Sequence, residues 1–265
     1  MENSFKDKVV WITGASSGIG EAVAQALSKQ GAKLILSSRR EAELERVKKG
    51  CVNPESIKIL PLDLTDSANL EAKVPEAIAL FGHIDVMFHN GGISQRSLVA
   101  ETAIDVHRHV MELDYFSYII LTKALLPHFL ERSSGHFVVT SSVMGKIGTP
   151  MRSAYAAAKH ALHGYFDCLR AEVSEQGVKV TILTPGYIQT HISAITGGGE
   201  MLNGELKEIS GGYPADKAAK QILRAIKNGT YETYIGRLGE ERLALFVNRL
   251  WPGLLVRLMP GKIPS

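Results

Sequence analysis

The sequence predicts a doubly wound parallel α/β sheet of about seven strands with helices on both faces. Three observations predict it. Short β-branched runs alternate with longer helical patterns along the chain. Most of these runs are continuously apolar, as expected of parallel strands covered on both sides. A glycine-rich turn follows the first run and opens the first helical pattern.

The strands are expected at Lys8–Thr13, Lys33–Ser38, Ser56–Leu62, Ile84–His89, Gly135–Ser141, Lys179–Thr184 and Tyr231–Ile235. The helices are expected at Gly18–Gln30, Arg40–Lys49, Ser67–Phe81, Ile104–Arg132, Arg152–Glu175 and Pro214–Lys227. Such alternation implies right-handed crossovers. No repeat or low-complexity linker interrupts it, so residues 1–265 read as a single domain. Two regions depart from the pattern. Ile188–Gly212 is rich in Gly, Ser and Thr and follows a strand at the carboxyl edge of the sheet, where a substrate lid is expected. The tail, Gly239–Ser265, mixes large apolar residues with Arg242, Arg249, Arg257 and Lys262.

Hydrophobic residues make up 45% of the chain and charged residues 22%, an ordinary globular balance. The net charge of +3 comes without a dense basic tract, which argues against a nucleic-acid partner. Cys51 and Cys168 lie far apart with no zinc or redox spacing, and both read as small buried or half-buried residues of a reducing compartment. The segment Met1–Lys8 lacks the apolar run of a secretory signal, so a cytoplasmic protein is expected and Asn228-Gly229-Thr230 is read as a chance glycosylation sequon. No apolar run is long enough to span a bilayer.

The turn Thr13-Gly14-Ala15-Ser16-Ser17-Gly18-Ile19-Gly20 has the chemistry of a pyrophosphate cradle. Glycines let the backbone bend sharply and come close to the phosphates. The helix that follows offers unpaired N–H groups and a positive dipole end. No Gly-Lys-Ser/Thr follows, so this is not a Walker A loop. The second strand ends Ser37-Ser38-Arg39-Arg40, where an NAD site usually places an acid for the ribose hydroxyls. A guanidinium matches a 2′-phosphate in charge and donor geometry, so NADP(H) is favoured over NAD(H). Arg39 is preferred for this role, and Arg40 reads equally well as a solvated helix residue.

Tyr155 and Lys159 stand four apart on one helix face. A free tyrosine has a pKa of about 10 and is a poor base at neutral pH. A nearby ammonium favours the phenolate, which suits the pair for moving a proton to or from a substrate oxygen. Ser142 follows a strand and can hold a carbonyl against Tyr155.

With these residues in view, the chain resembles a classical short-chain dehydrogenase/reductase along nearly its whole length. The motifs occur in order: Thr-Gly-x-x-x-Gly-x-Gly at 13–20, Asp63, His89-Asn90-Gly91-Gly92, Ser142, Tyr155-x-x-x-Lys159 and Pro185-Gly186-x-x-x-Thr190. The resemblance implies a Rossmann-type fold and an oxidoreductase acting on CH–OH groups. It makes Tyr155 the general acid/base, Ser142 the carbonyl positioner, and Lys159 the ribose ligand that lowers the Tyr155 pKa. It assigns cofactor contacts to Gly14, Ser16, Ser17, Gly18, Ile19, Gly20, Ser38 and Arg39. Asp63 and Leu64 would flank the adenine, Asn90 and Gly91 the adenosine side, and Pro185, Gly186, Ile188 and Thr190 the carboxamide. Two departures stand out. His89-Asn90-Gly91-Gly92 replaces the common Asn-Asn-Ala-Gly, which is expected to loosen that turn. Asp114 stands where the family carries a catalytic asparagine. A carboxylate accepts without donating when ionised. It can pair with Lys159 and weaken its pull on Tyr155, or serve the proton relay itself. Retained activity with a shifted pH profile is expected.

The remaining histidines, including His107, His109, His160, His163 and His191, have no convergent spacing, and no metal is expected. His191 is a weak candidate for substrate contact. Leu121–Pro127 and Lys159–Gly164 resemble the hydroxysteroid- and retinol-dehydrogenase-like branch, which implies a hydrophobic ketone, aldehyde or alcohol as substrate. The alternatives are a 3-ketoacyl-thioester reductase and a catalytically weak cofactor-binding scaffold. The tail reads either as a cover for the substrate pocket or subunit contact, or as an interfacial helix giving peripheral membrane contact. Ile104–Arg132 and Arg152–Glu175 resemble the helices of the family's dimer interface, so a homodimer or homotetramer is expected.

Overall fold

Strand β1 (Val9–Thr13) is buried at every position, so its side chains meet a hydrophobic layer on each side. It lies third in a seven-stranded parallel sheet with β2 (Lys33–Ser37), β3 (Ile57–Ile59), β4 (Val86–His89), β6 (Gly135–Thr140), β7 (Val178–Pro185) and β9 (Glu232–Ile235). The order is β3-β2-β1-β4-β6-β7-β9. Each expected strand is present: six are shorter by one to three residues at an end, and β7 is longer by one residue at each end. A second, two-stranded parallel sheet pairs β5 (Ser94–Gln95) with β8 (Ala194–Ile195). These residues are too few to show a periodic signal in the sequence. The computed structural model of the chain describes residues 4–190, 192–202 and 212–258, so His191 and parts of the expected lid and tail lie outside the described residues.

Helices α1 (Gly18–Ser28), α2 (Glu41–Lys49) and α8 (Ala215–Asn228) cover one face of the sheet. The pattern of α8 shows why. Ala218, Ala219, Ile222, Leu223, Ala225 and Ile226 form its buried stripe, while Lys217, Lys220, Arg224 and Lys227 stay exposed. Gly229 ends the helix in the left-handed conformation at φ 60. The other face is covered by α3 (Ser67–Leu70), α4 (Lys73–Phe81), α5 (Ile104–Met111), α6 (Ser117–Glu131) and α7 (Ser153–Val173). Two expected helices are interrupted. Ser67–Phe81 breaks between α3 and α4, and Ile104–Arg132 contains one π-helical turn at Glu112–Phe116. Such turns insert a residue without ending the helix. The tail forms α9 (Glu240–Leu250) and α10 (Pro252–Leu258). Cys51 is buried as expected, but Cys168 is exposed, because it lies on the outward side of α7.

The amino end of the sheet is fastened by one carboxylate. Asp85 accepts from Val9 N at 2.9 Å, Lys8 Nζ at 3.3 Å, His83 Nε2 at 3.2 Å and Arg132 Nη2 at 3.3 Å. It thereby joins β1, the approach to β4 and the end of α6. Burial pushes its carboxyl up, but the Val9 N–H and the Lys8 and His83 charges outweigh burial and hold it below the usual range. Its stabilisation is therefore present above an unfolded pKa of about 4 and is lost as pH falls through the lower folded value. Asp85→Ala is expected to lower unfolding free energy by about 2–3 kcal/mol at neutral pH. Urea titrations should show the gap from the wild type closing under acidic conditions.

Candidate active site

The strand order reverses direction between β1 and β4, and a crevice opens there at the carboxyl ends of the strands. Gly14 (φ 63) and Gly18 (φ 59) both adopt the left-handed conformation that the turn into α1 requires. A Cβ on Gly14 would lie 2.6 Å from Gly91 Cα, and one on Gly20 would strike the Gly14 carbonyl. The glycines thus permit strand ends and helix to approach one another. The β4 turn is fixed to this cradle. Asn90 N donates to Thr13 Oγ1 at 3.0 Å, and Asn90 Nδ2 donates to the Thr13 and Gly14 carbonyls at 3.3 Å. Tyr118 hydroxyl donates to Gly91 O at 2.8 Å. The turn expected to be loose is tightly held, and a methyl at Gly91 would collide with Leu64. His89 is buried, stacks on Tyr118 and bonds Thr122 Oγ1 at 2.9 Å. Burial pushes its pKa down to about 3, so it is neutral.

A cavity of about 710 Å³ runs from this cradle across the sheet end. Every cofactor contact expected from the sequence lines it except Gly20, which packs behind the turn. The residues fit a nicotinamide dinucleotide. At the adenosine end, Ser38 Oγ is buried with no protein partner, Arg39 and Arg40 line the wall, and Arg40 Nη2 reaches Ser16 Oγ at 3.3 Å. No acid ends β2. Asp63, just past the end of β3, accepts from Thr65 N at 2.9 Å and Thr65 Oγ1 at 2.8 Å. On the far side, Thr190 packs directly on Gly18, bringing the segment after β7 against the phosphate turn.

The titratable groups gather where β6, α7 and the π-helical turn meet. Lys159 is buried, with Nζ 3.2 Å from both Asp114 Oδ2 and the Thr140 carbonyl. Asp114 is completely buried and also accepts from Ile93 N at 2.8 Å. Burial alone would favour neutral Lys159, yet the Asp114 charge outweighs it and holds the ammonium protonated. Tyr155 lies beside the pair, its ring centroid 5.5 Å from Lys159 Nζ. Burial pushes the phenol pKa up; Lys159, the Ser142 hydroxyl and Arg152 pull it down, and Asp114 pushes it up again. The net direction is upward, so the lysine's pull is present but burial exceeds it in the protein alone. Ser142 Oγ caps the short turn after β6 by accepting from Met144 N at 3.1 Å. The neighbouring Ser141 is turned away and bonds His163 Nε2 at 2.9 Å. Asp114 does not line the cavity; it lies behind Lys159, and its charge bears on both Lys159 and Tyr155.

Beyond Tyr155 the wall is largely apolar, with Ile93, Val143, Met144, Ile147, Ile192, Val247 and Leu255. Helices α9 and α10 supply the last two, so the tail covers the pocket. Sequence reading missed Arg96 and Arg152, which also line this half. Arg152 stands three residues before Tyr155, the helical spacing that marks one face, and that spacing was a usable signal. It also missed Arg46, which reaches Ser16 O at 3.1 Å from α2.

A family profile described as short chain dehydrogenase matches residues 8–197. The mouse protein called dehydrogenase/reductase SDR family member 7B is 37% identical over 97% of this chain and 82% of its own length. The human dehydrogenase/reductase SDR family member 7 is 41% identical over 94% and 75%. Among solved structures, a short-chain dehydrogenase from Streptomyces avermitilis superposes with a TM-score of 0.82, 28% identity and 96% coverage of each chain. Levodione reductase superposes with a TM-score of 0.77 and 25% identity, covering 88% of this chain and 97% of that one.

The geometry around Asp114 sets a sign for its substitution. Asp114→Asn removes a negative charge that raises the Tyr155 pKa and leaves the acceptor for Ile93 N in place. The Tyr155-dependent limb of the pH profile is expected to move to lower pH, with alcohol oxidation rising earlier. Steady-state kinetics across pH checks this, and an unmoved profile would show that the carboxylate does not act on Tyr155.

Proposed function

The chain belongs to the short-chain dehydrogenase/reductase family, whose members are oxidoreductases using a nicotinamide cofactor, and on that premise we propose that it interconverts a hydrophobic ketone or aldehyde with its alcohol, using NADP(H). The observation that carries this reading is the meeting of Tyr155, Ser142 and the Asp114-supported Lys159 at the junction of a phosphate cradle and an apolar pocket. A bound nicotinamide would supply or take up the hydride. The chain's own residues do the rest. Ser142 hydroxyl and Tyr155 hydroxyl converge on the substrate oxygen. In reduction, Tyr155 gives its proton to that oxygen as charge develops, and Lys159 stabilises the phenolate left behind. In oxidation the same phenolate takes the alcohol proton. The apolar wall excludes water, which strengthens each of these interactions.

The preference for NADP(H) is supported by Ser38, Arg39 and Arg40 at the end of β2, where no carboxylate would repel a 2′-phosphate. The substrate reading is supported by the apolar lining and the cover formed by α9 and α10. The outward side of these helices exposes Phe246, Leu250, Trp251 and Leu254 next to Arg249 and Arg257, which suits peripheral contact with an anionic membrane surface. No helix among the described residues is long and apolar enough to cross a membrane. The free Cys51 and Cys168 suit a cytoplasmic site of action. Exposed Phe116 and Ala157, on the segments expected to pair, support a homodimer or homotetramer.

NADPH consumption should be followed over a panel of steroid, retinoid, small-ketone and acyl-thioester substrates. Tyr155→Phe is expected to lower kcat by roughly a hundredfold to ten-thousandfold while NADPH still binds. Turnover that survives this substitution would overturn the acid/base role. Replacing Arg39 and Arg40 by alanine should weaken NADPH binding by roughly tenfold to a hundredfold and leave NADH nearly unaffected. Co-sedimentation with vesicles containing phosphatidylserine should fall when Phe246 and Trp251 are both changed to Glu, and equal sedimentation would end the membrane reading.

A further inference from the structure

The apolar half of the cavity contains two guanidiniums that its chemistry does not account for. Arg152 precedes α7 immediately, one helical turn before Tyr155, and is only partly exposed. Its Nη1 donates to Ser94 Oγ and to the Gln95 carbonyl, both at 2.8 Å. Among the described residues no protein acceptor engages its other nitrogens, and no carboxylate lies within 4.0 Å of it. Arg96 follows β5 and is exposed at the same wall, with no side-chain partner among the described residues. The two cations are close enough to repel: after burial, Arg96 is the largest influence lowering the Arg152 pKa. The acids that line this cavity are engaged or elsewhere. Glu241 accepts from Tyr187 N at 2.9 Å and Tyr234 hydroxyl at 2.6 Å, Glu240 lies beside it at the start of α9, and Asp63 is at the adenosine end.

Met151 sits at φ 63, a left-handed conformation that costs a non-glycine residue about 1 kcal/mol or more. Gln95 is fixed in turn, its Nε2 donating to Ser97 O at 2.8 Å and its Oε1 accepting from Ala154 N at 3.3 Å. The small β5–β8 sheet therefore serves as a mount for Arg152. Two like charges held side by side at one wall of the pocket are stabilised together when an anion bridges them.

We propose that Arg152 and Arg96 form an anion subsite, and that the substrate is an amphiphile with an anionic group, such as a carboxylate, a short distance from the carbonyl or alcohol carbon. This deepens the reading of Tyr155 as the acid/base and rests on it for the position of the reacting carbon. An aliphatic oxo acid fits the arrangement. Its chain lies on Ile93, Ile147 and Val247, its carbonyl meets Tyr155, and its carboxylate meets the free Nη2 and Nε of Arg152 with Arg96 beside them.

Binding decides the subsite independently of turnover. With NADP bound, a medium-chain fatty carboxylate, which is redox-inert here, is expected to bind roughly tenfold to a hundredfold more tightly than the methyl ester of the same chain. The preference should shrink at high salt. It should collapse in Arg152→Met and Arg96→Met, with Arg152→Lys keeping part of it. Arg96→Met serves as the control for folding, because that side chain has no protein partner among the described residues. Kinetics with oxo acids, their methyl esters and a β-oxoacyl coenzyme A then identifies the source of the anion. Preference for the free acid assigns a carboxylate, and preference for the thioester, lost in the same variants, assigns the coenzyme phosphates. Equal binding of acid and ester, or a preference that survives Arg96→Met and Arg152→Met, would overturn the subsite. Tight, arginine-dependent carboxylate binding without turnover of any substrate would uphold the subsite and sink the acid/base reading of Tyr155 instead.

Discussion

The buried pairing of Lys159 with Asp114 is the constraint around which the active end is organised. An ammonium taken wholly out of water is costly unless it is compensated by charge and hydrogen bonds. Here the compensation comes from three separate elements. Asp114 arrives from the π-helical turn between α5 and α6, the Thr140 carbonyl from the end of β6, and the Tyr118 ring from α6, 5.3 Å from the ammonium. Each of these must be in register for Lys159 to remain buried and charged. The same requirement fixes Tyr155 one helical turn away, and the Ile93 N–H that Asp114 accepts fixes the loop after β4. The electrostatics of Tyr155 and the packing of the sheet end are therefore one problem with one solution.

The opposite pole of the sheet follows similar logic with a different purpose. Asp85 collects a backbone N–H and three basic side chains, joining strand starts to a helix end far from any chemistry. Its pKa is held down, whereas Tyr155 is pushed up. Burial pushes the Asp114 carboxyl up instead, and its charge raises the pKa of both Lys159 and Tyr155. Close backbone approach, not charge, does the equivalent work at the phosphate cradle. Gly14, Gly20 and Gly91 leave no room for a Cβ, so strand end, helix start and the β4 turn meet at contact distance.

The cavity joins two unlike environments. Its adenosine end is polar, with an unpartnered Ser38 hydroxyl and the Arg39 and Arg40 guanidiniums. Its other end is largely apolar, closed by Val247 and Leu255 from the tail and carrying Arg96 and Arg152 at its wall. A hydrophobic substrate of the kind proposed would be drawn in by burial of its chain and oriented by the few polar groups that interrupt the wall. Tyr155 stands at the boundary between the two halves.

By itself the sequence determined the parallel sheet, because continuous apolar strands separated by amphipathic helices have few other ways to bury both faces. It also determined the cradle and the Tyr155–Lys159 spacing, since local backbone geometry alone brings those residues together. The small β5–β8 sheet, the π-helical turn and the tightness of the His89–Gly92 turn were beyond its reach. Each depends on contacts between residues distant in the chain, such as Asn90 with Thr13 or Ser94 with Ala194. Only the tertiary structure decided that Asp114 pairs with Lys159, that burial exceeds the lysine's pull on Tyr155, and that Arg96 and Arg152 share one wall. The physical reason is common to all three. A side chain's charge and pKa are set by desolvation and by neighbours across the fold, and neither is written in local spacing.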